Sequence, residues 1–295
     1  MHAKDLAIES RFISAPDGLK LHARAYGSPL MPGTPVLCLP GLARTAEDFD
    51  VIARALAGGA AGRPRRVVAL DYRGRGLSDR DNWKNYDLRV ENADILACMD
   101  ALGLAHAIFL GTSRGGLHTM ITAATRPAAI KAAILNDIGP VVEAQGLARI
   151  RGYVGKLPAP HSWDDAKDLA RRVMGAQFTS LSEDEWLAYA KLTFQEKDGK
   201  FIPRYDVKLM NQLEALDLEA PLPTAWPQFE GLANVPTLSL RGENSDLLSE
   251  ATVAEMAQRH PRFQAHTVAG QGHAPLLLDA ATIGVIANFI ARSEG

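Results

Sequence analysis

The chain of 295 residues has only two cysteines, Cys38 in an apolar run and Cys98 in a helical pattern. Their spacing matches no metal-ligand motif and one pair makes no disulfide framework, so both read as buried free thiols. An excess of one charge is also lacking, since 32 Lys and Arg stand against 34 Asp and Glu. A net charge of -2 leaves no basic footprint for a nucleic-acid backbone or an anionic membrane, and neither partner is expected. The charge-free stretch from Ala25 to Ala43 is broken by Pro29, Pro32, Pro35 and Pro40, which a membrane-spanning helix does not tolerate. Residues 1–12 lack the basic and apolar regions of a secretory signal, which makes the cytoplasm the expected compartment. There is no G-x-x-x-x-G-K, no H-E-x-x-H and no EF-hand loop, so neither a cofactor nor a metal is expected.

What is present is an alternation of short β-rich runs with longer amphipathic segments in a chain that is 47% apolar. Residues 7–14 and 19–26, joined by Pro16-Asp17-Gly18, predict an opening hairpin. Val36 to Leu39, Val67 to Leu70, Ala107 to Leu110, Ala132 to Leu135, Pro236 to Leu240 and Gln264 to Val268 are short apolar runs, as expected of strands covered on both faces. Thr45 with Asp48, and Asp87, open helical patterns, and Gly103 closes the second. The fold class is therefore α/β, with a mostly parallel central sheet flanked by helices.

The alternation stops after Gly139, and helical pattern replaces it. Residues 1–140 and 232–295 are expected to form the core and residues 141–231 a helical cap. Ser182 with Glu185 is a capping-box signature there, and Trp163, Phe178, Trp186, Tyr189, Phe194 and Trp226 concentrate in this segment. A module inserted between parallel strands sits near their carboxyl ends, where ligands bind, so it reads as a lid and Trp186 as a candidate substrate contact.

After the run Ala107 to Leu110 comes Gly111-Thr112-Ser113-Arg114-Gly115-Gly116, followed by apolar residues at helical spacing. A strand, G-x-S-x-G and a helix predict a sharp turn that presents the serine oxygen, with Gly111 and Gly115 removing side chains that would collide. A serine hydroxyl needs a base within hydrogen-bond reach and a group that fixes that base. His273, in Ala269-Gly270-Gln271-Gly272-His273, follows the last strand in a glycine-rich loop, whereas His106, His118, His260 and His266 fall within helices or strands. Two acids sit just past a strand, Asp137 after Leu135-Asn136 and Asp246 in the loop after Leu240. Asp246 is the favoured partner of His273, because Gly242, Asn244 and Ser245 loosen its loop; Glu243 is a nearer competitor. Asp137 is assigned to the turn into the lid, with pocket polarity as its alternative.

These motifs, with Leu39-Pro40-Gly41-Leu42 and Asp71-Tyr72-Arg73-Gly74-Arg75-Gly76-Leu77-Ser78, resemble those of an α/β-hydrolase-fold serine hydrolase with an inserted cap. The likeness covers almost the whole chain. The family's loop after the first central strand commonly begins His-Gly, and Pro40 here removes a side chain that often braces it. By resemblance, the oxyanion hole is the backbone N–H groups of Leu42 and Arg114. The resemblance implies an enzyme in which Ser113 attacks a carbonyl, His273 carries the proton and Asp246 orients His273. A carboxylic ester or lactone of a small to medium acyl group is the expected substrate. Carbon–carbon hydrolysis of a diketone by the same residues is one alternative, and a non-catalytic ligand sensor another. Arg44 and Arg114 flank the expected oxyanion donors and are candidates for a substrate carboxylate. The oligomeric state is not readable.

Overall fold

Ile8–Ser14 (β1) and Lys20–Tyr26 (β2) pair antiparallel, Ser14 opposite Lys20, and close at Asp17-Gly18 with Gly18 at φ 87°, as the turn chemistry predicts. The computed structural model describes residues 6–294; residues 1–5, on which part of the leader reading rests, lie outside the described residues. The central strands follow as Gly33–Leu39 (β3), Arg65–Asp71 (β4), Ala107–Thr112 (β5) and Ile130–Asn136 (β6). The insertion carries a separate hairpin, Phe194–Lys197 (β7) and Lys200–Pro203 (β8), and the sheet resumes with Thr237–Gly242 (β9) and Phe263–Val268 (β10). Eight strands form one sheet in the order β1-β2-β4-β3-β5-β6-β9-β10, parallel from β4 onward.

Strand β4 is buried along its whole length, which the apolar run around Val67 and Leu70 requires once helices cover both faces. On one face Ile52 and Leu56 of Asp50–Ala57 (α1) pack with Ile286, Phe289 and Ile290 of Ala280–Glu294, the last helix. On the other, Ile95 and Met99 of Leu88–Ala101 (α2) join Met120 of Arg114–Thr125 (α3). The Thr45–Asp48 capping box forms as expected, although it opens a 3-10 turn at Ala46–Phe49 that then runs into α1. Asp87 caps α2, and Gly103 follows its end at φ 69°.

Between β6 and β9 lie Ala144–Tyr153 (α4), Trp163–Met174 (α5), Glu183–Thr193 (α6), Met210–Glu214 (α7) and Trp226–Glu230 (α8). The expectation of an all-helical insertion is corrected by β7 and β8. Their two-residue connection is Asp198-Gly199, both at positive φ, and an Asp-Gly pair is the turn that joins twisted strands most easily. Phe178, Trp186 and Tyr189 form one small core of the insertion with Leu276, and Leu169, Phe194 and Phe201 form another. Trp226 and Phe229 pack instead with Phe263, beside β9 and β10. Among the described residues no helix is long and apolar enough to cross a membrane.

Candidate active site

Ser113 stands at the junction of β5 and α3 with φ 51° and ψ -113°, an uncommon conformation for a side-chain-bearing residue. It is tolerated because the chain around it is glycine. A Cβ at Gly115 would lie 2.0 Å from the Leu39 carbonyl oxygen, and one at Gly111 would lie 2.5 Å from the Gly115 backbone. Strand, elbow and helix therefore pack closer than any other residue allows, and the Ser113 hydroxyl emerges at the carboxyl edge of the sheet. Its amide donates to Asn136 at 2.9 Å, which ties the elbow to the end of β6.

His273 of the sequence reading stands beside Ser113. Its Nε2 is 2.8 Å from Ser113 Oγ. Its Nδ1, however, is 2.8 Å from Oδ2 of Asp137, and this corrects the choice of Asp246. Asp137 is fully buried and sits at φ 56°, the left-handed region in which Asp is one of the few residues at ease. That turn aims its carboxylate along the sheet edge, where it also accepts from Gly242 N at 2.8 Å and Ser245 Oγ at 2.6 Å. Three donors on one carboxylate fix its direction toward the imidazole. Asp137 is thus neither only a turn residue nor pocket lining.

Asp246 is instead held by a guanidinium. Arg149 of α4 meets both its carboxylate oxygens, Nη2 to Oδ1 at 2.8 Å, and the pair fastens the insertion to the loop after β9. Glu243, the competitor in that loop, accepts from the Gly270 amide at 2.7 Å and braces the base of the His273 loop. A further contact was invisible in the sequence: Gln177, between α5 and α6, accepts the His273 amide through Oε1 at 3.0 Å. The Thr179 amide donates to Gly270 at 2.9 Å, so the insertion grips the histidine loop at two points.

A cavity of about 90 Å³ opens over this relay, lined among others by Leu42, Arg44, Tyr153, Phe178 and Tyr189. Leu42 is fixed from behind, its carbonyl accepting from Arg75 Nε at 2.9 Å, and Arg75 is itself buried on Glu91. The brace that Pro40 cannot supply comes from the Asp71–Ser78 turn. Asp71 adds to it by accepting the Ala46 amide at 2.7 Å. Of the other candidates, Arg44 lines the cavity, with its cation 4.9 Å from the Tyr189 ring centre. The Arg114 side chain turns to Glu91 and the Tyr86 carbonyl and does not line the cavity; only its backbone remains at the elbow. Trp186 is also corrected. It stands behind the cavity, its ring 6.4 Å from Phe178 and 6.0 Å from Tyr189, and supports two of the aromatics that do line it.

A second Ser–His–Asp chain lies elsewhere, with Ser10 Oγ 3.1 Å from His22 Nε2 and His22 Nδ1 2.7 Å from Asp71. It lacks an elbow. Ser10 is on the exposed strand β1, away from any helix N-terminus, and Asp71 is also bound to Ala46 and Leu77 amides that shape the turn. We read it as a brace between the hairpin and that turn.

A family model described as the alpha/beta hydrolase fold matches residues 34–280. The 3-hydroxybutyrate-oligomer hydrolase of Cupriavidus necator is 31% identical over 283 residues, 91% of this chain and 93% of that protein. The 2-(acetamidomethylene)succinate hydrolase of Mesorhizobium japonicum is 27% identical over 225 residues, 76% of this chain and 78% of that protein. Among solved structures, an alpha/beta hydrolase from Novosphingobium aromaticivorans aligns with a TM-score of 0.89 at 39% identity, over 97% of this chain and 98% of that one. The chain is a hydrolase and belongs to the alpha/beta hydrolase fold family.

Proposed function

We propose that the protein is a serine hydrolase that cleaves carboxylic esters of small to medium acyl groups through an acyl-enzyme. The observation that carries this reading is the relay Ser113–His273–Asp137, closed at 2.8 Å in both links. Ser113 Oγ attacks the ester carbonyl carbon while His273 Nε2 takes the hydroxyl proton. Asp137 fixes the Nδ1–H tautomer and faces the imidazolium that forms. The backbone N–H groups of Leu42 and Arg114 are the expected donors to the developing oxyanion, Arg114 being at the first turn of α3, where helix amides have no partner four residues back. The alcohol departs with the proton from His273, and water then enters by the same steps in reverse to release the acid.

The insertion is the lid in this reading, since Tyr153, Phe178 and Tyr189 come from it and face Ser113 across the cavity. A volume of about 90 Å³ suits a short acyl chain rather than a long one. The Cupriavidus relative is named for ester-linked oligomers of a short hydroxy acid, which agrees with that size. Labelling with a fluorophosphonate, followed by a panel of short and long esters, lactones and a diketone, tests the proposal. Labelling of Ser113 with turnover confined to short esters and lactones is the expected result; turnover of the diketone alone, or no label, would overturn it.

A further inference from the structure

We propose that Arg44, together with the phenols of Tyr153 and Tyr189, forms an anion subsite that selects esters carrying a free carboxylate a few bonds from the scissile carbonyl, such as the acid end of a hydroxy-acid ester. This rests on the serine-hydrolase reading and names its substrate class.

Position is the first argument. Arg44 follows the loop that carries Leu42 and lines the same cavity as Ser113 and His273. A Cβ placed on Gly41 would touch both side chains, at 3.4 Å from Arg44 Cγ and 3.7 Å from Ser113 Cβ. The two residues are therefore neighbours, and the guanidinium reaches outward from a point about 7 Å or less from the nucleophile's carbon. In an ester of a 3-hydroxy acid the carboxylate is separated from the scissile carbonyl by an oxygen and two carbons, a span of this order.

Orientation is the second. Arg44 Nε is held by Asp48, Nη1 lies 3.3 Å from Thr193 Oγ1, and the cation rests on the Tyr189 ring. Asp48 Oδ2 is committed to the Thr45 amide at 2.9 Å, so the carboxylate grips one side of the guanidinium only. Nη2 makes no hydrogen bond to any described residue, and the side chain retains 21% exposure within the cavity wall. A half-buried cation already oriented, with one donor edge open, is what carboxylate recognition needs, because the ordering cost is met in the free enzyme.

The surroundings supply the rest. Burial pushes the Tyr153 and Tyr189 hydroxyls above their ordinary value, so both stay protonated and able to donate. The other arginines nearby are committed, Arg114 to Glu91 and Arg149 to Asp246. Arg44 is left as the cation that faces the substrate.

The test compares the acetate ester of 3-hydroxybutyrate with that of 3-hydroxybutanamide, which differ only in carboxylate against carboxamide. Wild-type kcat/KM is expected to favour the acid by roughly 10- to 100-fold, the scale of a charge-assisted hydrogen bond. Arg44→Met brings that ratio close to one whatever it does to the absolute rates, and Tyr153→Phe with Tyr189→Phe lowers it in part. Free 3-hydroxybutyrate, as a competitive inhibitor of the wild type, should act at lower concentration than 3-hydroxybutanamide, a measurement that needs no folded variant. A wild type without preference, or an Arg44→Met variant with the ratio unchanged, overturns the subsite. Fluorophosphonate labelling in parallel separates the two claims. An enzyme that labels at Ser113 but shows no preference loses the subsite alone, whereas one that neither labels nor cleaves either ester loses the serine-hydrolase reading and the subsite with it.

Discussion

Asp137 Oδ2 stands 2.8 Å from His273 Nδ1, on the carboxyl edge of the sheet, while Asp246 from the adjacent strand's loop faces Arg149 of the insertion. Asp137→Asn keeps the size but leaves the imidazole in the wrong tautomer, a change that costs on the order of 10⁴ in kcat. Asp246→Asn breaks a partly buried ion pair away from the reacting atoms, so it should lower the melting temperature and change kcat by less than about 10-fold. Steady-state kinetics and thermal melts on both variants check this, and a catalytic collapse in Asp246→Asn with Asp137→Asn near wild type would reverse the assignment.

Gln177 holds the histidine loop from the insertion side. Its Oε1 would lie 2.1 Å from a Cβ placed on Gly272, so nothing larger fits between them. Gln177→Ala removes the acceptor of the His273 amide and lets the imidazole drift from Ser113. Misplacement of this order costs roughly 10- to 100-fold in kcat. The loss should fall equally on acidic and neutral esters, which distinguishes it from loss of Arg44. An unchanged kcat would show that the glycine-rich loop holds His273 unaided.

A buried cluster behind the elbow makes stability depend on pH. Glu91 and His118 are both fully buried, with Arg75 and Arg114 on the same carboxylate. For Glu91, burial raises its pKa but Arg114 and Arg75 outweigh it and hold the carboxyl well below its ordinary range. Burial pulls the His118 imidazole below its ordinary value against Glu91, and its Nδ1 has no hydrogen-bond partner among the described residues. Both folded-state values are depressed, so the unfolded chain takes up each proton first as pH falls. Stability is fully present above about pH 6.5 and declines below it as His118 protonates in the unfolded chain. One proton gives a slope of about 1.4 kcal/mol per pH unit, and Glu91 adds its own loss below about pH 4.3. Urea unfolding between pH 5 and 7 should show this slope in the wild type and a flatter one in His118→Gln. Equal slopes would place the acid sensitivity elsewhere.

The sheet, the hairpin, the elbow and His273 were legible because each is encoded locally. Glycines at 111 and 115, the Asp17-Gly18 turn and the apolar runs each fix a conformation within a few residues. The acid was not, because the choice depends on contacts between segments far apart. Arg149 lies 97 positions before Asp246 and captures it, and nothing in the spacing announces this. The one local sign for Asp137 was its place directly after a strand, with Ile138-Gly139-Pro140 behind it. An Asp there enters the left-handed region without large strain and turns its carboxylate across the neighbouring strand. The hairpin of the insertion had a readable signal in Asp198-Gly199, obscured by the helical pattern on both sides. The side-chain directions of Arg114 and Trp186 were settled by Glu91 and by Phe178, partners that only packing brings near.

The central claim is that Ser113 becomes acylated, and it is tested most directly by quenching the reaction with a chromogenic acetate ester in acid and mapping the adduct by peptide mass spectrometry. The account predicts a burst of about one alcohol per chain and an acetyl group on the peptide containing Ser113. The Ser10 peptide should remain unmodified. Ser113→Ala should lose the burst and about 10⁴- to 10⁶-fold in kcat while keeping its melting temperature. Turnover retained in Ser113→Ala, or an acetyl group found on another residue that carries the burst, would contradict it.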